Sequence, residues 1–150
     1  MIRISGFGFR TYYSTMPFSI VHRVQFSETD AAGVVHFSNY FRWMEEVEHA
    51  FFRSLGLSVM MTHEAIDIGW PRVACSCEYM GPARFEEEIT LRLSVTKLGE
   101  KSLTYEVEFL KDEVLIARGK LTSVCVELTD AGFKPIAIPH GVRPKLDPPS

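Results

Sequence analysis

Residues 29–52 read TDAAGVVHFSNYFRWMEEVEHAFF, and the second half of this stretch decides the fold. Tyr40, Trp43, Met44, Val47, Ala50, Phe51 and Leu55 recur at helical spacing, while Arg42, Glu45, Glu46, Glu48, His49 and Arg53 occupy mostly other faces. The spacing predicts one main helix from about 37 to 55, with Ser38 or Asn39 at its start and Gly56 at its stop. At 1.5 Å per residue such a helix is roughly 28 Å long, comparable with a strand of eight or so residues. A four- or five-stranded antiparallel sheet can wrap it. The glutamates at 45, 46 and 48 read most simply as its solvated face.

Working outward, the following sequence changes period. Ile89, Leu91, Leu93 and Val95 alternate with polar residues, and Leu103, Tyr105, Val107 and Phe109 repeat the pattern, so two half-buried strands follow one another. Leu98 to Lys101 supplies a hairpin turn between them, and Lys111-Asp112-Glu113 a second turn into a run from Val114 to Leu128. Alternation slips near Gly119, where a bulge is expected. Further strands are expected at 18–27 and 70–80, and a helical turn or two between Val59 and Asp67. The fold class is therefore α+β, with a core domain at 18–140. Residues 1–17 show no sustained period and read as an extension, within which Met16 is a second possible start. Five prolines between Pro135 and Ser150 disfavour regular structure, and 141–150 reads as a surface or free tail.

Composition narrows the classes of function. The chain has 150 residues, 46% of them hydrophobic and 12% aromatic, enough for one sizeable core. Sixteen Lys and Arg against nineteen Asp and Glu give a net charge of −3, so no global basic field attracts nucleic acid or an anionic membrane. Apolar runs fall far short of the roughly 18 to 20 residues of a membrane span, and no secretory signal is visible at the start. Cys75, Cys77 and Cys125 are an odd number without a CxxC pair, which suits a reducing compartment; the cytoplasm is expected.

Candidate chemistry sits in the connection into the helix, SETDAAGVVHFSNY over residues 27–40. Asp30 supplies a carboxylate, the small residues at 31–33 let a ligand approach the backbone, and the helix start presents unpaired N–H groups. Such donors stabilise the oxyanion that forms when a carbonyl is attacked, by roughly 2.7 to 4 kcal/mol per donor in well-studied hydrolases. A nearby carboxylate can activate water or attack directly. Read from the residues alone, an Asp before small residues is also an ordinary turn or capping residue.

The same stretch closely resembles the DxxGxV signature loop and helix of hotdog-fold acyl-CoA thioesterases of the 4-hydroxybenzoyl-CoA thioesterase type. CEYMGPARFEEEITLRLSV at 77–95 resembles that family's strand, P-A-R turn and strand, and LTSVCVEL with FKPIAIP resembles its last strand and exit. The resemblance implies an antiparallel sheet of about five strands wrapped around one long central helix, paired with a second copy as a homodimer or homotetramer. It places the catalytic acid on Asp30 and the oxyanion donor on the backbone N–H of Phe37, with Gly33 allowing the close approach; Val35, His36 and Tyr40 are the further candidate substrate contacts, although a loop imidazole such as His36 reads equally as a hydrogen-bonding or surface group and Tyr40 reads first as core or interface packing. It implies hydrolysis of a coenzyme A thioester to a free acid and coenzyme A, without cofactor or metal. The family often has Tyr or His at position 37, and Arg where His49 stands; this chain departs at both.

Other constellations are weaker. His22, His49, His63 and His140 have no spacing that recruits them, and the cysteines read as small apolar packing residues. GxSxG is absent, while Gly6-x-Gly8 and Ser94-x-x-Lys97 lack the contexts their motifs need. Arg84, Arg92, Lys97 and Lys101 are candidates for coenzyme A phosphates. A hotdog dehydratase or hydratase, and a non-catalytic acyl-CoA sensor, are the alternative functions.

Overall fold

The computed structural model describes residues 17–147. The expectations for residues 1–16, Met16 as a start and Gly6-x-Gly8 among them, and for 148–150 lie outside the described residues.

Strands β1 (Phe18–Arg23), β4 (Arg72–Tyr79), β5 (Glu88–Leu98), β6 (Ser102–Lys111) and β7 (Val114–Val124) form one antiparallel sheet in the order β1-β5-β6-β7-β4. Helix α1 (Asn39–Ser54) lies across it. The alternation read from sequence sets the contact face. Leu91 pairs with Phe109 and Leu93 with Val107 in β5–β6, Val107 pairs with Gly119 and Tyr105 with Leu121 in β6–β7, and all these positions are buried. They meet Tyr40, Met44, Val47 and Phe52 in a single apolar core. This is the hotdog arrangement the sequence resemblance implies.

The helix is shorter than expected at both ends. Phe37 and Ser38 are held in a turn by bonds from the Asn39 and Tyr40 N–H groups to the His36 and Phe37 carbonyls at 3.0 and 3.4 Å, and Gly56, at φ +72°, ends it as expected. The strand run from 114 also differs in detail. The register shift lies opposite Phe109/Leu110, where Ile116 and Ala117 are buried in succession, and Gly119 is in phase. The missing side chain at Gly119 imitates a slip; its purpose is clearance, since a Cβ there would stand 2.5 Å from Met44 Sδ. A second change of phase, at Cys125 and Val126, divides the run and sends the chain into another sheet.

That second sheet, β2 (Met61–His63), β3 (Ile66–Gly69), β8 (Val126–Thr129) and β9 (Gly132–Pro135) in the order β2-β3-β8-β9, replaces the helical turn expected at 59–67. Glu64 and Ala65 take positive φ of 50° and 65°, the geometry of a tight hairpin, and Ile66 and Ile68 alternate around Asp67. The proline-rich end is not free either. Ile138, Val142 and Leu146 are buried against the core, the last in a short helix α2 (Arg143–Leu146), and Arg143 donates to the Gly99 and Leu98 carbonyls at 2.7 and 3.3 Å. Their spacing of four residues is a helical stripe that the prolines obscure. No helix among the described residues is long and apolar enough to cross a membrane.

Candidate active site

The loop between β1 and α1 is a miniature hairpin. The Asp30 N–H donates to Val34 O at 2.8 Å, the His36 N–H to Glu28 O at 2.9 Å, and Thr29 bridges Val35 between them. Gly33, at φ +75°, makes the turn, a conformation in which an L side chain is disfavoured. The returning arm is clamped from outside by the P-A-R turn, whose Ala83 carbonyl accepts the Val35 N–H at 2.8 Å. Asp30 therefore stands on one arm, and Phe37 continues the other arm directly into α1.

Asp30 is exposed, and its Oδ1 accepts the Ala32 N–H at 2.8 Å, while its second oxygen has no hydrogen-bond partner among the described residues. The Phe37 N–H has no acceptor among the described residues, whereas its carbonyl accepts the Tyr79 hydroxyl at 3.0 Å. This N–H lies just before the N-cap Ser38 of α1, where the helix dipole favours negative charge. Phe37's ring is 61% exposed and lies against the His36 ring at 4.5 Å between centroids.

His36 is exposed and folds back on the turn. Its Nδ1 is 2.7 Å from the Ser38 hydroxyl and accepts the Ser38 N–H at 3.3 Å, which ties the imidazole to the N-cap residue of α1. Two candidate substrate contacts, Val35 and Tyr40, are buried, which for Tyr40 is the packing role its helical spacing marks. Val35 is 6% exposed, and Tyr40, 3% exposed, packs against Trp43, Tyr79 and Phe109 at 5.0 to 5.2 Å between centroids. Burial first, then the nearby Cys77 and Glu87, push the Tyr40 hydroxyl up to about 12. Both side chains are apolar positions of their elements' inner faces, which the core claims first.

Several polar residues of this neighbourhood stand out only in three dimensions. Glu28 is half-buried beneath the loop, where its carboxylate meets His22, Trp43 and the Gln25 N–H. Burial alone would push it up, but these donors prevail and hold it below the usual carboxylate range. His22 bridges Glu28 and Glu46, with Nε2 and Nδ1 at 2.9 and 2.8 Å from carboxylate oxygens. Glu48, expected on the solvated face, is 1% exposed and pairs with Arg72 of β4. It lies on the i, i+4 stripe of Tyr40, Met44 and Phe52, a position that sequence spacing does mark as inward. Burial, only partly opposed by Arg72, pushes its carboxyl up, and burial first, then Glu48, pushes up the Tyr105 hydroxyl beside it.

A single-stripe helix in a five-stranded sheet, with an acid and a free amide at the helix entrance, defines a class. The chain belongs to the thioesterase-like superfamily, whose family model matches residues 24–146. It is 32% identical over 110 residues to a 1,4-dihydroxy-2-naphthoyl-CoA hydrolase of Prochlorococcus marinus, covering 69% of this chain and 71% of that one. Among solved structures, a gentisyl-coenzyme A thioesterase superposes with a TM-score of 0.70 at 30% identity, over 85% of this chain and 98% of its own. A protein from Aquifex aeolicus does so with a TM-score of 0.77 at 28% identity, over 87% and 100%.

Proposed function

We propose that this chain is an acyl-CoA thioesterase that cleaves a coenzyme A thioester to a free carboxylic acid and coenzyme A. The observation that carries this reading is the free Phe37 N–H at the start of α1, joined by one short hairpin to the Asp30 carboxylate. In the reaction a nucleophile adds to the thioester carbonyl, and the oxygen that becomes negative is received by the Phe37 N–H, a donor fixed before the reaction begins. Asp30 serves in one of two ways. As general base it takes a proton from water while the water oxygen bonds to the carbonyl carbon. As nucleophile it forms a mixed anhydride that water then opens. In both, collapse of the tetrahedral intermediate breaks the carbon–sulfur bond and expels the thiolate, which leaves without a strong general acid. A side chain at 37 is not needed for this, and the ring at that position is free to lie against the substrate.

Aromatic acyl groups are the class supported best, because relatives at 30 and 32% identity are named for gentisyl and dihydroxynaphthoyl thioesters. His36, tied into the cap by Ser38, is poorly placed to act as the base of a dehydratase. The functional form is a homo-oligomer built on pairing of β4 with β4 of a second copy. β4 is a sheet edge without a partner strand on its outer side among the described residues, it exposes Val73, and through Tyr79 it reaches Phe37. Three free cysteines suit the cytoplasm.

The test is thiol release from a panel of benzoyl-, hydroxybenzoyl-, dihydroxynaphthoyl- and aliphatic acyl-CoAs. Turnover with the hydroxylated aromatic members supports the reading. Binding without thiol release would establish a sensor, and hydration of an enoyl-CoA with its thioester intact would establish a hydratase. Single turnover in ¹⁸O-water that leaves label in the Asp30 carboxyl establishes the nucleophile route with water opening the anhydride at the Asp carbonyl; trapping of the acylated protein by hydroxylamine tests the nucleophile route in which water attacks the acyl carbon.

A further inference from the structure

The loop's geometry converges on one residue to which neither the motif nor the fold assigns a role. Glu28 accepts five hydrogen bonds from three parts of the chain. Its carboxylate receives His22 Nε2 of β1 at 2.9 Å, Trp43 Nε1 of α1 at 2.8 Å and the Gln25 N–H at 2.8 Å. Its carbonyl receives the His36 N–H at 2.9 Å and Asn39 Nδ2 at 2.8 Å. Asp30 lies two residues beyond Glu28 on the outgoing arm, and Phe37 lies one residue beyond His36 on the returning arm. We propose that Glu28 is the positioning residue that sets the Asp30 carboxylate and the Phe37 amide at their working separation, a statement that rests on the thioesterase reading.

The two arms of the loop share Glu28 as a common anchor. The hairpin is held on its outer side by the Val35–Ala83 bond and at its mouth by the Glu28–His36 pair, and of these two only the mouth ties both arms together. The carboxylate fixes the Glu28 end to both β1 and α1, and the carbonyl fixes the returning arm and the first helical residue to the same point. Any shift of Glu28 is therefore transmitted to both reacting groups, in directions that do not cancel because the arms run antiparallel. The carboxylate is itself held. His22 approaches it with one ring nitrogen while the other faces Glu46 at 2.8 Å, and the imidazole lies 4.7 Å from the Trp43 ring. A network in which every member has a partner is stiff, and stiffness here is what catalysis uses, since misplacement by about 1 Å can cost about 100-fold in rate. Among the described residues the buried Glu48–Arg72 pair and the cysteines make no hydrogen bond or ion pair with the loop.

Glu28→Gln tests this, because the amide keeps the size of the side chain but cannot accept from all three donors at once. In the full-length protein, kcat for a hydroxylated aromatic acyl-CoA is expected to fall about 10- to 100-fold. KM, and the affinity for a non-hydrolysable thioether analogue, are expected to stay within about threefold, a split that general loosening of the fold would not give. Hydrogen exchange of residues 29–38, measured without substrate, is expected to accelerate. A kcat within about threefold of wild type overturns the proposal, as does a loss shared by kcat, KM and melting temperature alike. Should Glu28→Gln not fold, His22→Leu removes one of the three donors at a half-buried position and decides by the same readings, with a smaller fall in kcat at constant KM expected. If the wild type releases no thiol from any thioester, the thioesterase reading fails by itself. Exchange at 29–38 then still judges Glu28, and unchanged protection in the variant overturns its role in the loop.

Discussion

Replacing Arg72 by methionine would leave a carboxylate stranded in the core. Glu48 is 1% exposed, its Oε1 has no hydrogen-bond partner among the described residues, and its Oε2 depends on Arg72. Glu45, 3.7 Å from the same guanidinium, adds a like charge nearby. Breaking a buried pair costs about 3–5 kcal/mol, and the lower end applies here because the Arg72 side chain is 35% exposed and its pairing is partly screened. For a domain of this size about 3 kcal/mol is about 6–12 °C in Tm. The sign with pH follows from the carboxyl. In the wild type burial holds Glu48 above its ordinary 4.5, and loss of Arg72 raises it further. An acid raised in the folded state favours folding below its unfolded value, and that advantage is lost as pH rises through the folded value. The deficit of Arg72→Met is therefore expected to be large at pH 8 and to shrink toward pH 5. Urea melts of the wild type, Arg72→Met, Glu48→Gln and the double variant at both pH values, at one protein concentration, supply the measurement. A deficit under about 1 kcal/mol at pH 8, or one of equal size at both pH values, refutes the reasoning.

Other expectations are smaller. Gly119→Ala inserts a methyl 2.5 Å from Met44 Sδ and is expected to cost about 1–3 kcal/mol in a urea melt, with no cost if the thioether moves aside freely. Tyr79→Phe removes the hydroxyl that donates to the Phe37 carbonyl at 3.0 Å; at about 0.5–1.5 kcal/mol for the bond, kcat should fall about 2- to 12-fold with Tm little changed, and an unchanged kcat would detach Tyr79 from the site. Gly33→Ala forces a side chain onto φ +75° and is expected to cost about 1–2 kcal/mol and to lower kcat, as read by melting and by thiol release.

Much of the fold was legible because the core is written in simple periods. Period 2 at 89–95 and 103–109 and period 3.6 from Tyr40 led directly to β5, β6 and α1, and the turn at Lys111–Glu113 was legible from its polar residues; Asp112 and Glu113 indeed take positive φ. Legibility failed where a residue's type and its place disagree. Gly119 looked like a fault in a strand because its role is the space it leaves for Met44. Glu48 looked solvated because its charge outweighs its position on the inward stripe, and the partner that makes burial tolerable, Arg72, lies on β4. Ile138, Val142 and Leu146 were hidden among prolines although their spacing is helical. In the loop, the turn built by Asp30, Gly33 and His36 was legible because turn chemistry is local, whereas Glu28 and His22 draw their meaning from contacts between β1, the loop and α1 that no short window of sequence contains. Val35 and Tyr40 carry the apolar character of a binding surface and of a core equally, and both are buried.

Thiol release by Asp30→Asn beside the wild type, on one hydroxylated aromatic acyl-CoA, tests the account at its centre. The substitution keeps shape and the hydrogen bond to the Ala32 N–H but removes the charge that activates water or attacks. With the fold and analogue binding retained, kcat is expected to drop by about 100-fold or more, the contribution typical of an acid–base group. A variant that turns over within a few-fold of the wild type would contradict it.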